Sequence, residues 1–273
     1  MRLMTIKEVQ AISLDIVKDL HDFCLKNSIR YSLSGGTLIG AIRHQGFIPW
    51  DDDVDVVMPR PDYERFIKSY KSTKGYQLFS HEIEGGDKVE LTYARICEMK
   101  QTFVDQGQKP WTTNEVGVWI DIFPLDGAPR DLKEAEKKVK HMTRVWLDGM
   151  HIRTAKYPFC KTKGIINKLK LLGKRILYFH RSNIDSHIQQ CKEYDFDSCD
   201  YYCNYTIMHY GMKEYQRKST LVPIILHKFE DTELCVMSGY DEYLRIFYGD
   251  YMKLPPEEQR RTHDYNGYFW KND

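Results

Sequence analysis

The segment Trp50-Asp51-Asp52-Asp53-Val54-Asp55-Val56-Val57 constrains the fold of this chain more than any other. Its four carboxylates repel one another and resist burial, whereas its three valines favour a partly buried β-strand. Side chains two apart on a strand share a face, so Asp51, Asp53 and Asp55 point one way and the valines point mostly into a core. A divalent metal with oxygen ligands is one counter-charge for such an edge. A solvated acidic turn or a structural Ca²⁺ loop explains the same residues, and these alternatives remain open here.

The pattern along the chain predicts an α+β fold with an α/β-like N-terminal half and a mainly helical C-terminal half. Thr5 and Glu8 form a capping-box pattern before a helix that ends near Asn27. Further helices are predicted at 37–44, 61–70, 131–150 and 240–248, and strands at 29–33, 53–58, 76–79, 89–97, 102–104 and 116–123, the last closed by Pro124. A composition shift near residue 128 divides the chain into 1–128 and 129–273, which form either two regions or one continuous domain.

Two other features favour a metal-binding site at the acidic strand. The turn Ser34-Gly35-Gly36 lies between a strand and a short helix, where backbone N–H groups can hold a phosphate. Asp121 interrupts an apolar strand, where a carboxylate is unfavourable unless it is paired or bound to a metal. If the two strands are neighbours, Asp121 joins Asp53 and Asp55 in a site of three carboxylates. This order of elements is that of the nucleotidyltransferase fold, with a mixed sheet and flanking helices.

The segment from Ser34 to Asp55, SGGTLIGAIRHQGFIPWDDDVD, resembles the signature of the LicD family, bacterial enzymes similar to fukutin and fukutin-related protein. Two other segments fit the same family pattern, Trp119-Ile120-Asp121-Ile122-Phe123-Pro124-Leu125-Asp126 and Tyr248-Gly249-Asp250-Tyr251-Met252-Lys253-Leu254-Pro255-Pro256. The resemblance implies an enzyme that moves phosphocholine or a similar phospho-alcohol from a CDP-alcohol to a sugar hydroxyl and releases CMP. It also implies that 1–128 is the catalytic core and that 129–273 completes the donor and acceptor site.

The resemblance also implies roles for particular residues. Asp53, Asp55 and Asp121 would hold Mg²⁺ or Mn²⁺, and Asp121 would help to activate the sugar hydroxyl as general base. The expected phosphate-binding residues are Ser34, Gly35, Gly36, Thr37, Arg43 and His44. Arg43 and His44 have a plain alternative, since basic residues at the end of a helix also complement its dipole.

Other functions remain open on the same residues. A nucleotidyltransferase that attacks the α-phosphate of an NTP would use the same three carboxylates and release pyrophosphate instead of CMP. A binding module for nucleotides or glycans could keep the fold, although such a module would have no use for an acidic metal cradle.

Three side chains or clusters have competing interpretations. Trp50 is expected to pack in the core more often than to face a quaternary ammonium. Arg95 is expected to be a surface charge on a strand, with a nucleotide contact as the alternative. Cys191, Cys199 and Cys203, with His187 and His209, are read as scattered thiols rather than as a zinc site, because their spacing is not standard for zinc.

Composition limits the partners and the compartment. The chain has 40 Lys+Arg and 39 Asp+Glu, a net charge of +1, so we expect no binding to nucleic acid. Seven cysteines are an odd number in a chain of 273 residues, and the N-terminus has no apolar signal region. We therefore expect a cytoplasmic protein.

Although the net charge of the whole chain is close to zero, one segment is strongly basic. Residues 149–184 contain no Asp or Glu, and within them residues 165–177 combine apolar positions at helical spacing with lysines. This is typical of a basic amphipathic helix that contacts an anionic membrane, here the inner face of the cell membrane, where a lipid-linked glycan acceptor would lie. A helix that packs on the core with a solvated lysine face is the commoner alternative.

Overall fold

The computed structural model describes residues 1–86, 89–106, 115–155, 164–178, 184–260, 262 and 267–271. Its α-helices are α1 (Ile6–Lys26), α2 (Gly35–Ile39), α3 (Arg60–Ser69), α4 (Leu132–Ala155), α5 (Ile165–Tyr178), α6 (Ile184–Cys191), α7 (Lys218–Leu221) and α8 (Tyr240–Tyr248). Its strands are β1 (Arg2–Leu3), β2 (Ser32–Leu33), β3 (Asp55–Pro59), β4 (Gln77–Phe79), β5 (Ala94–Cys97), β6 (Thr102–Asp105), β7 (Trp119–Ala128), β8 (Tyr201–Cys203), β9 (Tyr215–Arg217), β10 (Ile224–Phe229), β11 (Thr232–Met237) and β12 (Gly267–Trp270). A π-helix at Gly40–His44 follows α2 directly.

The main sheet is mixed and has the strand order β2-β3-β7-β5-β4, with β8 and β9 added through β7. Strands β3 and β7 are parallel, whereas the other neighbours in this sheet are antiparallel. The predicted α+β class with a mixed sheet is confirmed.

One face of this sheet is the floor of the main core. Val54, Val56, Ile120 and Ile122 are fully buried there, together with side chains of α1 and α3. The alternation of strand side chains then places Asp55 and Asp121 on the opposite face. Burial of one face thus fixes which face carries the acidic residues.

Helix α1 begins and ends where the sequence predicts. Thr5 Oγ1 accepts a hydrogen bond from the backbone N–H of Glu8, and the Glu8 carboxylate accepts one from the backbone N–H of Thr5. Asn27 caps the other end. Both ends of the helix therefore have partners for orphan backbone groups.

Strand β7 continues past Pro124, and the prediction that this proline closes the strand is wrong. Pairing with β5 ends opposite Ile122, and pairing with β8 begins opposite Asp126. Pro124 lies in the interval between these two partners, so the missing N–H group removes no bond on that edge.

The second half of the chain packs on the first. The main core cluster contains Ile16, Phe66, Val236 and Leu244, which come from both halves. Beside its helices this half contributes β8, β9, the antiparallel β10-β11 hairpin, and β12, which lies between β1 and β6. The boundary predicted near residue 128 stays a prediction. Within the described ranges, no helix is both long enough and apolar enough to cross a membrane.

Candidate active site

Three charged side chains lie in one row across the main sheet. Asp121 on β7 is the register partner of Asp55 on the parallel strand β3 and of Arg95 on the antiparallel strand β5. Register partners share a face, and neighbouring strands lie about 4.8 Å apart, so the two carboxylates are neighbours. The sequence predicts this neighbourhood only if β3 and β7 are adjacent, and they are.

Arg95 is buried and holds Asp121 with a two-pronged ion pair. Its Nε donates to Asp121 Oδ1, and its Nη2 donates to Asp121 Oδ2 at 3.0 Å. The guanidinium carbon lies 4.5 Å from the ring centroid of Trp119 and 5.5 Å from that of Tyr93. The expectation that Arg95 is a surface charge is therefore wrong. A bidentate, ring-stacked arginine fixes both the position and the orientation of the carboxylate.

Gly35 and Gly36, which the sequence places in a turn, form the first turn of α2, called the glycine turn below, and side chains there would crowd the nearby carboxylates. Gly35 has φ +56°, and a Cβ there would lie 3.1 Å from Asp55 Oδ2. A Cβ at Gly36 would lie 2.8 Å from Asp51 Oδ2. The two glycines therefore let the backbone pass directly beside two acidic side chains.

Ser34 and Thr37 are buried, and their hydroxyl groups have partners within the chain. The backbone N–H of Asp55 donates to Thr37 Oγ1 at 2.9 Å, and the backbone N–H of Ser34 donates to the carbonyl of Asp55 at 3.0 Å. Ser34 Oγ lies 2.9 Å from the hydroxyl of Tyr243 on α8. In this conformation the Thr37 hydroxyl holds the turn against β3, and the Ser34 hydroxyl holds it against α8. Their predicted phosphate contacts stay a prediction.

The four aspartates of the segment 51–55 alternate in exposure. Asp51, Asp53 and Asp55 are half-buried, whereas Asp52 is buried. Asp52 Oδ2 accepts a hydrogen bond from the hydroxyl of Tyr268 at 2.9 Å. Asp52 thus points away from the row of site residues and links the segment to β12.

Arg43 and His44 end the π-helix and contact the C-terminal part of the chain. Arg43 Nη1 donates to the carbonyl of Tyr251 at 2.6 Å, and Arg43 Nε donates to His44 Nε2 at 2.9 Å. Burial, and then the neighbouring guanidinium, lower the pKa of His44. Their predicted contacts with substrate stay a prediction.

Trp50 is partly buried against the main core, which agrees with the expected packing role. One face of its ring already has a cation, because the guanidinium carbon of Arg260 lies 5.1 Å from the ring centroid.

A cavity of about 230 Å³ adjoins the site through Tyr93. Its lining also includes Trp146, Met150 and Arg153, all of α4. The hydroxyl of Tyr93 accepts from Arg95 Nη2 at 3.1 Å, and burial raises the pKa of Tyr93 to about 12. Tyr93 is therefore a neutral phenol between the charged row and this cavity, whose lining includes a second large aromatic ring, that of Trp146.

The residues present suit a divalent cation that also binds substrate. Among the described residues, no three His, Cys, Asp or Glu side chains converge closely enough to enclose a metal ion by themselves. Mg²⁺ in phosphate-handling enzymes is held by one or two carboxylates together with waters and substrate phosphates. Asp55 and Asp121 supply such a pair, and each carboxylate oxygen of Asp121 keeps a lone pair beyond its bond to Arg95.

The cysteine cluster has an apolar setting. Cys191 and Cys203 are buried with Tyr205 and Met208, and burial raises the pKa of both thiols. His187 Nε2 contacts the carbonyl of Tyr205 at 2.8 Å. These contacts are those of core residues.

Comparison with known proteins identifies the family. Residues 28–161 match the family model described as LicD/FKTN/FKRP, nucleotidyltransferase domain. The chain is 34% identical over 276 residues to lipopolysaccharide cholinephosphotransferase LicD of Haemophilus influenzae, and the match covers 96% of this chain and 97% of that protein. The chain belongs to the LicD family. An uncharacterized protein of Rickettsia typhi is 39% identical over 82 residues, which cover 29% of this chain and 26% of that protein.

The structure places beside the candidate site several residues that are not among the predicted site residues. These are Arg95, Tyr93 and Trp119 around Asp121, and Tyr243 and Tyr248 of α8 beside the glycine turn. Sequence signals exist for Trp119 and Tyr248, each of which opens a segment that fits the family pattern. The others depend on pairing between distant strands and helices.

Proposed function

We propose that this LicD-family protein is a cytoplasmic, Mg²⁺- or Mn²⁺-dependent phosphotransferase that moves phosphocholine from CDP-choline to a sugar hydroxyl of a lipid-linked glycan precursor. The relationship to the cholinephosphotransferase of Haemophilus influenzae along nearly the whole chain supports the reaction class and the alcohol. The single structural observation that carries the proposal is the register pairing of Asp55 with Asp121 beside the Gly35–Gly36 turn.

The chain's own residues account for positioning and for charge in this reaction. Asp55 and Asp121 would hold the metal together with the phosphates of the donor, and Asp53, in the segment before β3, stays a predicted further ligand. A bound metal stabilises negative charge on the transferred phosphoryl group. The turn that contains Ser34, Gly35, Gly36 and Thr37 would bind the phosphates, and Arg43 and His44 would contact them as well. The sugar oxygen would bond to the phosphorus of the phosphocholine group as the bond from that phosphorus to CMP breaks. Asp121 would accept the proton of the sugar hydroxyl, and Arg95 would hold the carboxylate of Asp121 in place.

We place the choline group in the cavity beside Tyr93. Tyr93 and Trp146 present aromatic rings there, and such rings attract a quaternary ammonium group by cation–π interaction. We expect Trp146→Leu to raise the KM for CDP-choline more than it lowers kcat, because the ring contacts the part of the donor that does not react.

The deciding experiment incubates the full chain with Mg²⁺ and CDP-choline, CDP-ethanolamine, CDP-glycerol, CDP-ribitol or CTP, and measures CMP and pyrophosphate separately. We expect CMP release from CDP-choline that depends on a lipopolysaccharide-type acceptor and stops with EDTA. Asp55→Asn and Asp121→Asn should each lower turnover about 100-fold or more, the scale of losing one charge-stabilising group.

The matched control is Asp22→Asn, which makes the same change at an exposed position of α1. Near-native turnover in Asp55→Asn, or pyrophosphate as the product, would refute the proposal.

A further inference from the structure

Helix α5 presents its apolar side chains to solvent instead of to the protein. The exposed large aliphatic side chains are Ile165, Ile166, Leu169, Leu172, Ile176 and Leu177. Ile165 and Ile176 are 77% and 79% exposed, whereas Leu171 is 5% exposed and is the buried residue of this helix. A surface helix of a globular protein normally turns its apolar stripe towards the core. The orientation of α5 is the reverse.

The exposed aliphatic side chains form one continuous face. At about 100° per residue, Ile165, Leu169 and Ile176 fall within a sector of about 40°, with Leu172 and Ile166 on either side. The opposite side of the helix faces α4. There, Arg175 Nε donates to the carbonyl of Ala155 at 3.3 Å, and the ring of Tyr178 lies 5.5 Å from that of His151.

Basic side chains border this apolar face. Lys168 lies along one edge, and Lys170 and Lys174 lie along the other, by the same helical geometry. The wider segment 149–184 contains no Asp or Glu. The exposed face of α5 is therefore apolar with a cationic border, and its partner must offer apolar contact together with negative charge.

We propose that α5 lies in the plane of a bilayer that contains anionic lipids, with its aliphatic face below the headgroups and its lysines among them. Long lysine side chains reach the headgroup level from such a position. A second copy of this chain fits less well, because it would bring the same positive charge to the contact. The proposal concerns where the protein works and does not depend on the proposed reaction.

The test measures binding of the full chain to vesicles by sedimentation, without any assay of activity. We expect binding to phosphatidylcholine vesicles that contain phosphatidylglycerol, and weaker binding both to pure phosphatidylcholine and when salt rises from about 0.1 M to about 0.5 M. Leu169→Glu and Ile176→Glu should each weaken binding at least about ten-fold, because each places a carboxylate in the apolar face. Glutamate is a good helix former, so both variants should keep the native circular dichroism spectrum.

The matched control is Leu132→Glu, which introduces the same residue at a leucine that is 56% exposed at the start of α4. It should bind as the wild type does. The proposal is overturned if the wild type stays in the supernatant with anionic vesicles at low salt, or if Ile176→Glu binds as tightly as the wild type. Dimers of the wild type that Ile176→Glu dissociates, without vesicle binding, would assign the face to a contact between copies and would also overturn it.

Discussion

Arg95 is the residue on which the placement of Asp121 depends. Arg95→Ala removes both bonds to the carboxylate, and we expect kcat to fall about 10- to 100-fold, as for other partners that orient a metal ligand. Arg95→Lys keeps the charge but loses the planar fork, so it should restore only part of the rate. Initial rates of CMP release across CDP-choline concentrations separate kcat from KM. Equal kcat values for Arg95→Ala and the wild type would contradict a positioning role.

Gly35 is required by backbone conformation as well as by space. We expect Gly35→Ala to lower the free energy of unfolding by about 1–2 kcal/mol, because alanine is strained at positive φ, and to displace the carboxylate of Asp55, which a Cβ would approach to 3.1 Å. Urea denaturation and turnover measure the two effects. Gly173→Ala is the matched control, because a Cβ there meets nothing within 4 Å in the interior of α5. Activity of Gly35→Ala equal to that of the control would contradict the close approach.

The sequence predicts the acidic residues of the site but not their surroundings. Asp55 and Asp121 are recognisable because a carboxylate in an apolar strand is unfavourable unless it is paired or bound to a ligand. Arg95 carries no such signal, because a single arginine on a short strand is usually exposed. Its burial depends on Trp119, Tyr93 and the register of β5 with β7, which are tertiary facts.

At the scale of elements, α3 and β7 are joined by a buried ion pair. Arg60 Nε and Nη2 donate to the two oxygens of Asp126 at 2.6 and 2.8 Å, and Asp126 is fully buried. Burial lowers the pKa of Arg60, but the charge and hydrogen bonds of Asp126, with the charge of Glu82, outweigh burial and raise the pKa above its ordinary value. The pair fixes the first turn of α3 against the end of the strand that carries Asp121.

We expect Asp126→Ala to lower the free energy of unfolding by about 3–5 kcal/mol, because it leaves the Arg60 charge buried without its main partner. Urea denaturation measures this. The double variant Arg60→Met, Asp126→Leu removes both charges and should be more stable than the single variant. A single variant as stable as the wild type would show that the pair contributes nothing.

The elements themselves were predictable to different degrees. Helix α1 has caps and a clear apolar period, so its bounds follow from local rules. Strands β2 and β5 are shorter than the predicted 29–33 and 89–97, because pairing partners, and not propensity, set where a strand ends. The continuation of β7 past Pro124 has the same cause.

The whole molecule has a buried acid that links its stability to pH. Glu214 is 8% exposed, and burial raises the pKa of its carboxyl group to about 8. Between the ordinary pKa of a glutamate and pH 8 the native state holds a proton that the unfolded state has lost. The free energy of unfolding should therefore fall as pH rises through this window, by up to about 1.4 kcal/mol per pH unit from this group.

Glu214→Gln tests this expectation, because glutamine stays neutral at every pH. Thermal unfolding between pH 5 and 8 is expected to be less dependent on pH in the variant than in the wild type. Identical pH profiles for the two proteins would exclude Glu214 as the cause.

The contact of α8 with the glycine turn has a consequence for the order of events during synthesis. Ser34 binds Tyr243, and the backbone N–H of Met237 donates to Ser32 Oγ at 2.8 Å, so the turn beside the acidic strand is braced by residues translated about 200 positions later. Tyr248 then comes beside Gly35 from the same helix. A nascent chain that already contains Asp53, Asp55 and Asp121 therefore still lacks the residues of β11 and α8 that hold the turn in place. We expect the ability to bind a nucleotide to appear only after α8 has left the ribosome.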